Sequence, residues 1–367
     1  MLARMEMSRA RAVLARTPVL TARQLRELLN RAGNDVERAL TMRITQGVDL
    51  APATQQFLAT PDEPAVEADL AWLASSGVRI VLSSDPDYPA LLRQLEDAPA
   101  ALYVQGSVAA LSTPQLAMVG SRSPTPAGRA TAREFASWFA GAGLTITSGL
   151  ALGIDAASHE GALAGGGQTV AVFATGLDRV YPPEHAALAQ RIAAHGALVS
   201  EFPPGTLPLR GYFPRRNRLI AGLSLGTLVV EAARRSGSLI TARRALEAGR
   251  EVFAIPGSIH SPLARGCHQL IKSGAKLVEE AADVLSELNI SVPKEVVTRG
   301  QSESHLPRAL DKEYEMLLDA LGFEPATVDV LVARTHLPGE SVASMLLILE
   351  LEGRVAALPG GRYGRTP

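Results

Sequence analysis

Between residues 115 and 290 the chain alternates seven short apolar runs with helix-patterned stretches, and few architectures accept that alternation. The runs are LAMVG (116–120), LTITS (144–148), TVAVFA (169–174), ALVS (197–200), TLVVE (227–231), VFAI (252–255) and KLVE (276–279). They are short, continuous and rich in β-branched residues, the signature of strands buried on both faces. In the stretch after the first run, Phe135, Trp138, Phe139 and Ala142 recur at i, i+3, i+4 and i+7, one face of a helix. Strands of this kind separated by helices predict a doubly wound, Rossmann-like α/β fold with a parallel sheet.

The flanks differ. Residues 1–62 read as helical, with Leu25, Leu28 and Leu29 on one face and Gly33 as a stop. Thr60-Pro61-Asp62-Glu63-Pro64 marks a boundary, and 65–112 read as a connecting region with a helix near Val66–Ser75 and a strand at Val78–Leu82. Residues 63–290 are thus taken as one connected unit. Residues 291–308 are polar and aperiodic, a linker. Beyond them, three helical stretches (Asp311–Leu321, Ala326–Arg334, Glu340–Glu352) precede two strand-like pieces around Pro359-Gly360-Gly361, which predicts a winged-helix unit over 309–367.

An apolar content of 47 % with 20 % charged residues excludes a wholly disordered chain of 367 residues. The single cysteine, Cys267, excludes an intramolecular disulfide framework and a Cys-rich zinc site. Arg4, Arg9, Arg11 and Arg16 interrupt what would be a signal-peptide core, and no long uncharged apolar stretch follows, so a cytoplasmic, non-membrane protein is expected.

Net charge is −1, yet its distribution is uneven. Residues 210–250 carry nine basic and two acidic side chains, and residues 1–60 carry nine and five. Residues 61–209 are acidic, with seven basic and fourteen acidic, and 291–367 carry eight and eleven. A local basic block in a neutral chain fits a defined polyanion site; a solvated charged face fits it equally.

In open α/β sheets, ligands bind outside the carboxyl ends of the strands. Gly120-Ser121-Arg122 follows the first strand there, offering close backbone approach, a hydroxyl and a guanidinium to an anion, or simply an ordinary turn. It lacks the full G-x-G-x-x-G pattern of a dinucleotide site. Asp155 and His159, spaced i, i+4, are conceivable metal ligands, but with no third ligand nearby they are read as structural. The sharpest feature is Leu209–Arg218: Arg210, Arg215, Arg216 and Arg218 with Tyr212, Phe213 and Asn217. Guanidinium forks match phosphate oxygens, and an exposed ring gives a base a face to stack on, together the design for single-stranded nucleic acid. In the competing reading Phe213 is core and the arginines pair with acids elsewhere. Ser236-Gly237-Ser238 opens a helix after the fifth strand, as a cap or a second anion site. Gly222–Gly226 matches G-x-S-x-G, but it follows a helix and precedes a strand, the reverse of a nucleophile elbow, so Ser224 is not expected to be a nucleophile. No Walker motif occurs.

At these residues the chain resembles the DNA-processing protein A family. The resemblance is carried by AMVGSRSPTPAG (117–128), ITSGLALGIDAASHEGAL (146–163), VFATGLDRVYPPEH (172–185), LVSEFPPGTLP (198–208), FPRRNRLIAGLS (213–224), VVEAARRSGSLITARRALEAGREVFAIPG (229–257) and LIKSGAKLV (270–278). The stretch Ala264–His268 departs from it, since an Asn commonly stands at His268. The flanks resemble the family's SAM-like N-terminal and winged-helix C-terminal domains. The resemblance implies binding of single-stranded DNA without sequence preference, protection of incoming DNA in natural transformation, loading of a RecA-type recombinase, and a homodimer. It implies no catalysis and no cofactor. Onto this sequence it carries Arg122, Arg210, Phe213, Arg216 and Asn217 as pocket residues, with Gly237 and Ser238 as walls. The reading of the motifs adds Gly120, Ser121, Arg215 and Arg218. The basic N-terminal segment is expected to make a second contact, with duplex DNA, because the C-terminal unit is acidic. The competing function is a nucleotide phosphoribohydrolase of the lysine-decarboxylase-like group, from Gly226-Thr227 followed by Glu231, although that group's paired glycines are missing.

Overall fold

The computed structural model describes residues 2–41, 47–290, 312–322 and 325–365, with side chains from Arg9 onward. The linker expected at 291–308 lies outside them.

The chain begins with helices α1 (Leu2–Arg16), α2 (Ala22–Arg31), α3 (Val36–Thr41), α4 (Pro52–Ala59) and α5 (Glu63–Ser76). Thr21 and Gln24 form a reciprocal capping box at the start of α2, and Leu25, Leu28 and Leu29 are its buried face. Gly33, at φ +72°, takes the left-handed conformation that lets the chain leave this helix. The Pro61–Pro64 break separates α4 from α5, which Asp62 caps. Helix α5 nevertheless packs back on α1, where the buried Asp69 accepts from Arg16 at 2.6 and 2.7 Å.

The elements that follow are β1 (Arg79–Leu82), α6 (Ala90–Arg93), β2 (Ala101–Gly106), β3 (Gln115–Val119), α7 (Pro126–Gly141), β4 (Thr145–Ser148) and α8 (Ile154–Ala164). Next come β5 (Thr169–Val172), α9 (Ala186–His195), β6 (Ala197–Ser200), α10 (Tyr212–Leu223), β7 (Gly226–Val229), α11 (Ser238–Glu247), β8 (Glu251–Ala254), α12 (Arg265–Lys272), β9 (Lys276–Leu277) and α13 (Ala281–Glu287). The nine strands form one sheet in the order β1-β2-β6-β5-β4-β3-β7-β8-β9. Strands β3 to β9 run parallel to one another, and β1 and β2 extend the sheet through antiparallel pairs, β2 with β6 and β1 with β2. All seven expected strands are present. Strand β2, inside the region read as a connection, was not expected; it extends the sheet by pairing Tyr103 with Ser200.

Alternate residues of each strand feed opposite faces. Ala117, Val119, Val170, Val172 and Val229 pack under α10, α11 and α12 through Leu219, Leu223, Ala242 and Cys267. Leu116, Met118, Leu228 and Val230 meet α7, α8 and α13 through Phe139, Ile154 and Val284 on the other face. That second face continues into a cluster joining Leu14, Leu25 and Leu28 to Tyr103, Phe173 and Leu198.

The C-terminal segment contains α14 (Lys312–Leu321), β10 (Ala326–Thr327), α15 (Val328–Thr335), α16 (Gly339–Leu351), β11 (Val355–Leu358) and β12 (Arg362–Arg365). Its strands order as β10-β12-β11. Gly360 and Gly361, at φ +83° and +67°, make the hairpin turn that only glycine adopts without strain. Leu317, Leu331, Leu346 and Val355 fill its core, a winged-helix arrangement. Among the described residues no helix is long and apolar enough to cross a membrane.

Candidate nucleic-acid interface

From β3 the chain winds outward through β4, β5 and β6, then returns to the other side of β3 for β7 and β8. The crevice outside the carboxyl ends at this reversal is where open α/β sheets place their ligands. The loops after β3, β4, β5, β6 and β7 meet there.

The Gly120-Ser121-Arg122 turn is tightly seated. A Cβ on Gly120 would stand 2.6 Å from Ile154 Cγ1 and 2.9 Å from the Glu231 carbonyl oxygen. Gly153, at φ +83°, brings the β4–α8 loop against the Ser121 carbonyl oxygen. So packed, the turn holds Arg122 outward, exposed, with its guanidinium 5.5 Å from the centre of the Phe213 ring. Phe213 is half-buried, and on another side it receives Tyr181, with centroids 5.8 Å apart and planes at 60°. Arg210 is exposed just before α10 and has no acidic partner among the described residues. The structure therefore brings Gly120, Ser121, Arg122 and Phe213 together, with Arg210 at the entrance to the same helix.

The other three arginines point elsewhere. Arg216 is 4 % exposed. Its Nη1 donates to the Gly149 carbonyl (2.6 Å) and to that of Val172, closing the ends of β4 and β5. Burial pushes its guanidinium down to about 10, with Asp155 pulling it back up, so it is charged at neutral pH. Arg218 is buried on Glu201 and lies 3.5 Å from Asp97. Arg215 donates to the same Glu201 carboxylate at 2.9 Å and lies over the Phe202 ring at 5.2 Å. The expectation that Arg215, Arg216 and Arg218 face phosphates is thus corrected. Arg216 and Arg218 leave α10 in nearly opposite directions, and both are buried because the helix is enclosed on all sides from Arg218 to Leu223; an acid on the neighbouring loop takes up 215 and 218 together.

Asn217 ties α10 to the loop before α11: its Oδ1 accepts from Arg216 Nε at 3.2 Å and its Nδ2 donates to the Gly237 carbonyl at 3.4 Å. Ser238 is buried, and its backbone N–H donates to Ser236 Oγ at 3.3 Å. The Ser-Gly-Ser turn leads into α11, whose N-cap position is Gly237 with no side-chain cap, and Asn217 ties it to α10.

The remaining motif residues are structural. Asp155 accepts from the backbone of Gly149 and Ala151 at 3.1 and 3.3 Å. Burial pushes its carboxyl up while Arg216 opposes. The Ser224 hydroxyl is buried and donates to Ile220 O at 3.0 Å. His268 Nε2 lies 2.9 Å from the Gly257 carbonyl, tying α12 to the loop after β8. Glu231 accepts from Thr125 N at 2.9 Å and from Thr125 Oγ1 at 2.6 Å, so its own carboxylate fills the N-terminus of α7, where a nucleotide phosphate would otherwise sit.

His159 makes a definite tautomer. The Thr169 hydroxyl donates its one proton to Ile146 O at 2.7 Å, so it accepts from His159 Nδ1–H at 2.7 Å. Burial pushes the ring down to about 3, and Nε2 stays unprotonated. The unfolded ring titrates near 6.5. The contribution is therefore full above that pH and is lost as pH falls below it, at up to about 1.4 kcal/mol per pH unit. Urea midpoints at pH 7, 6 and 5 should fall more steeply for the parent than for His159→Gln; parallel curves would contradict the buried neutral ring.

Tyr181 is the site residue that the sequence reading missed. It lies within residues 172–185, and what marks it out is its contact with Phe213, which no sequence pattern displays.

A doubly wound sheet whose reversal point presents a cation and a ring, in a chain that also carries a winged helix, is an architecture suited to handling nucleic acid. Residues 79–289 match the family model described as DNA recombination-mediator protein A, and 301–361 match the DprA winged helix domain. The chain is 44 % identical over 315 residues to protein Smf of Escherichia coli, covering 84 % of this chain and 82 % of that protein. It is 48 % identical over 203 residues to DNA processing protein DprA of Streptococcus pneumoniae, covering 55 % of this chain and 72 % of that one. The X-ray structure of the Streptococcus pneumoniae protein superposes with a TM-score of 0.66 at 38 % identity, covering 75 % of this chain and 95 % of that one. DNA processing protein A of Helicobacter pylori, described for its single-stranded DNA binding mode, gives 0.54 at 28 % identity, covering 60 % and 99 %. The chain belongs to the DNA recombination-mediator protein A family.

Proposed function

We propose that the protein is a non-catalytic, single-stranded-DNA-binding recombination mediator. It protects incoming strands in the cytoplasm during natural transformation and loads a RecA-type recombinase onto them. The observation that carries this is the Arg122–Phe213 contact at the sheet's reversal point, with Arg210 exposed just before the helix that carries Phe213. Phosphates settle against Arg122 and Arg210 while a base takes the ring, an arrangement only an unpaired strand satisfies. The Helicobacter pylori relative, described for binding single-stranded DNA, supports the same reading. Membership of the mediator family supports the non-catalytic role, as does the occupation of the α7 N-terminus by Glu231. That occupation also counts against the phosphoribohydrolase reading, because the acid it requires is already bound. A homodimer offering two crevices gains affinity by multivalency. Exposed Arg23 and Arg26 on α2 are the candidate second contact, with duplex DNA.

Because three arginines of the block have internal partners, each protomer offers about two to three phosphate contacts. Log K against log salt should slope at about −2 for an oligo-dT strand. Phe213→Ala should weaken binding by about 1–3 kcal/mol with the slope unchanged. Arg210→Ala should make the slope shallower by about 0.7. Electrophoretic titration of the full chain at two salt concentrations, with a duplex control, measures both. If both variants bind like the parent, the crevice is not the site.

A further inference from the structure

Tyr181 is the one exposed aromatic residue among the described residues, at 45 % exposure, in a chain with only 4 % aromatics. It stands on the loop between β5 and α9, and that loop is fixed at several points. Gly205 N donates to Asp178 Oδ1 at 3.0 Å, Gly176 N to Thr206 O at 3.2 Å, and Thr175 Oγ1 to Arg179 O at 3.0 Å. Past the tyrosine, His185 Nδ1 bonds the Leu150 carbonyl at 2.8 Å. A large apolar ring presented to water on a pinned loop is a preorganised contact.

Its neighbour sharpens the point. Phe213 has Arg122 over its face and Tyr181 at its flank, so a base that stacks on Phe213 must displace the guanidinium. The exposed ring surface in the crevice belongs to Tyr181. The two planes are 60° apart with centroids 5.8 Å apart, too close and too inclined to sandwich one base. They suit two successive bases turned away from each other. Leu152, on the β4–α8 loop, and Leu207, on the loop hydrogen-bonded to residues 176–178, are also strongly exposed at this rim, at 47 % and 53 %. Tyr181 is thus the exposed ring of this rim, on the other side of Phe213 from Arg122.

We infer that Tyr181 is a second nucleobase platform, which takes the base next to the one on Phe213 and forces the two out of their mutual stack. This rests on the single-stranded-DNA reading above and assigns a residue and a strand conformation to it. It also gives a reason for discrimination against duplex: a paired stack cannot splay two neighbouring bases without breaking its pairs.

The test uses the full chain and oligo-dT. Tyr181→Ala should weaken binding about tenfold with an unchanged salt slope, and Tyr181→Phe should stay within about twofold of the parent, because stacking needs the ring and not the hydroxyl. Photo-crosslinking of the unaltered protein to a strand carrying 5-iododeoxyuridine should label the peptide that contains Tyr181 as well as the one that contains Phe213. The crosslink decides the matter if Tyr181→Ala also lowers the melting temperature. Parent-like binding by Tyr181→Ala, or label on the Phe213 peptide alone, overturns the second platform and leaves the crevice intact. Parent-like binding by both Tyr181→Ala and Phe213→Ala overturns the crevice itself.

Discussion

Replacing Arg216 with alanine is expected to lower the unfolding free energy by about 3–5 kcal/mol, although the residue lies in the middle of the basic block. Its guanidinium is sealed under the ends of β4 and β5, where it donates to the Gly149 and Val172 carbonyls and faces the buried Asp155. Gly149 itself is required there, because a Cβ at that position would overlap the guanidinium. Alanine would leave two carbonyl oxygens short of a donor and one carboxylate without its counter-charge, and each orphaned group carries its desolvation cost. Lysine should restore stability only in part, since its ammonium can serve the two carbonyls that Nη1 serves but has no Nε to bond Asn217. Urea denaturation of the three proteins measures this. The folded fraction of Arg216→Ala should keep the parent's salt slope on oligo-dT. A variant as stable as the parent but with a shallower slope would mean that Arg216 faces phosphate after all.

The same residue shows how far the sequence reading reached. Strand positions were legible because a strand buried on both faces leaves an unbroken apolar run, and Leu116–Val119 and Val170–Val172 are such runs. Strand β2 escaped notice because it is an antiparallel extension with no crossover helix to announce it. Its Tyr103 and Leu102 are as buried as any residue of the parallel core. In the site, Arg122 and Phe213 were legible from residue type and position after a strand. The fates of Arg215, Arg216 and Arg218 were not, because composition cannot show which way a helix turns or that Glu201, at the end of a distant strand, lies beside them. The block divides: three arginines satisfy internal acceptors, while Arg210 is exposed and has no acidic partner among the described residues. Tyr181 went unrecognised because its significance comes from contact with Phe213, thirty-two positions along the chain.

Glu201 is the counterweight to that block, and removing it should move stability and DNA binding in opposite directions. Its carboxylate is almost fully buried and serves Arg218, whose side chain is 8 % exposed, and Arg215, which is 38 % exposed. Glu201→Ala leaves Arg218 inside with only the exposed Asp97 at 3.5 Å, so a loss of about 3–5 kcal/mol in urea unfolding is expected. Arg215 is different, because it reaches solvent and can turn outward once its acid is gone. It then adds one unpaired, exposed cation to α10, and the salt dependence of oligo-dT binding should steepen by about 0.7. The double variant Glu201→Ala with Arg215→Ala should return the slope to the parent value while staying unstable. If Glu201→Ala is destabilised but its slope is unchanged, Arg215 stays folded against Phe202 and the crevice draws its charge from Arg122 and Arg210 alone. Should the variant unfold at the parent's urea midpoint, the buried ion-pair network is not what holds the β6 loop to α10.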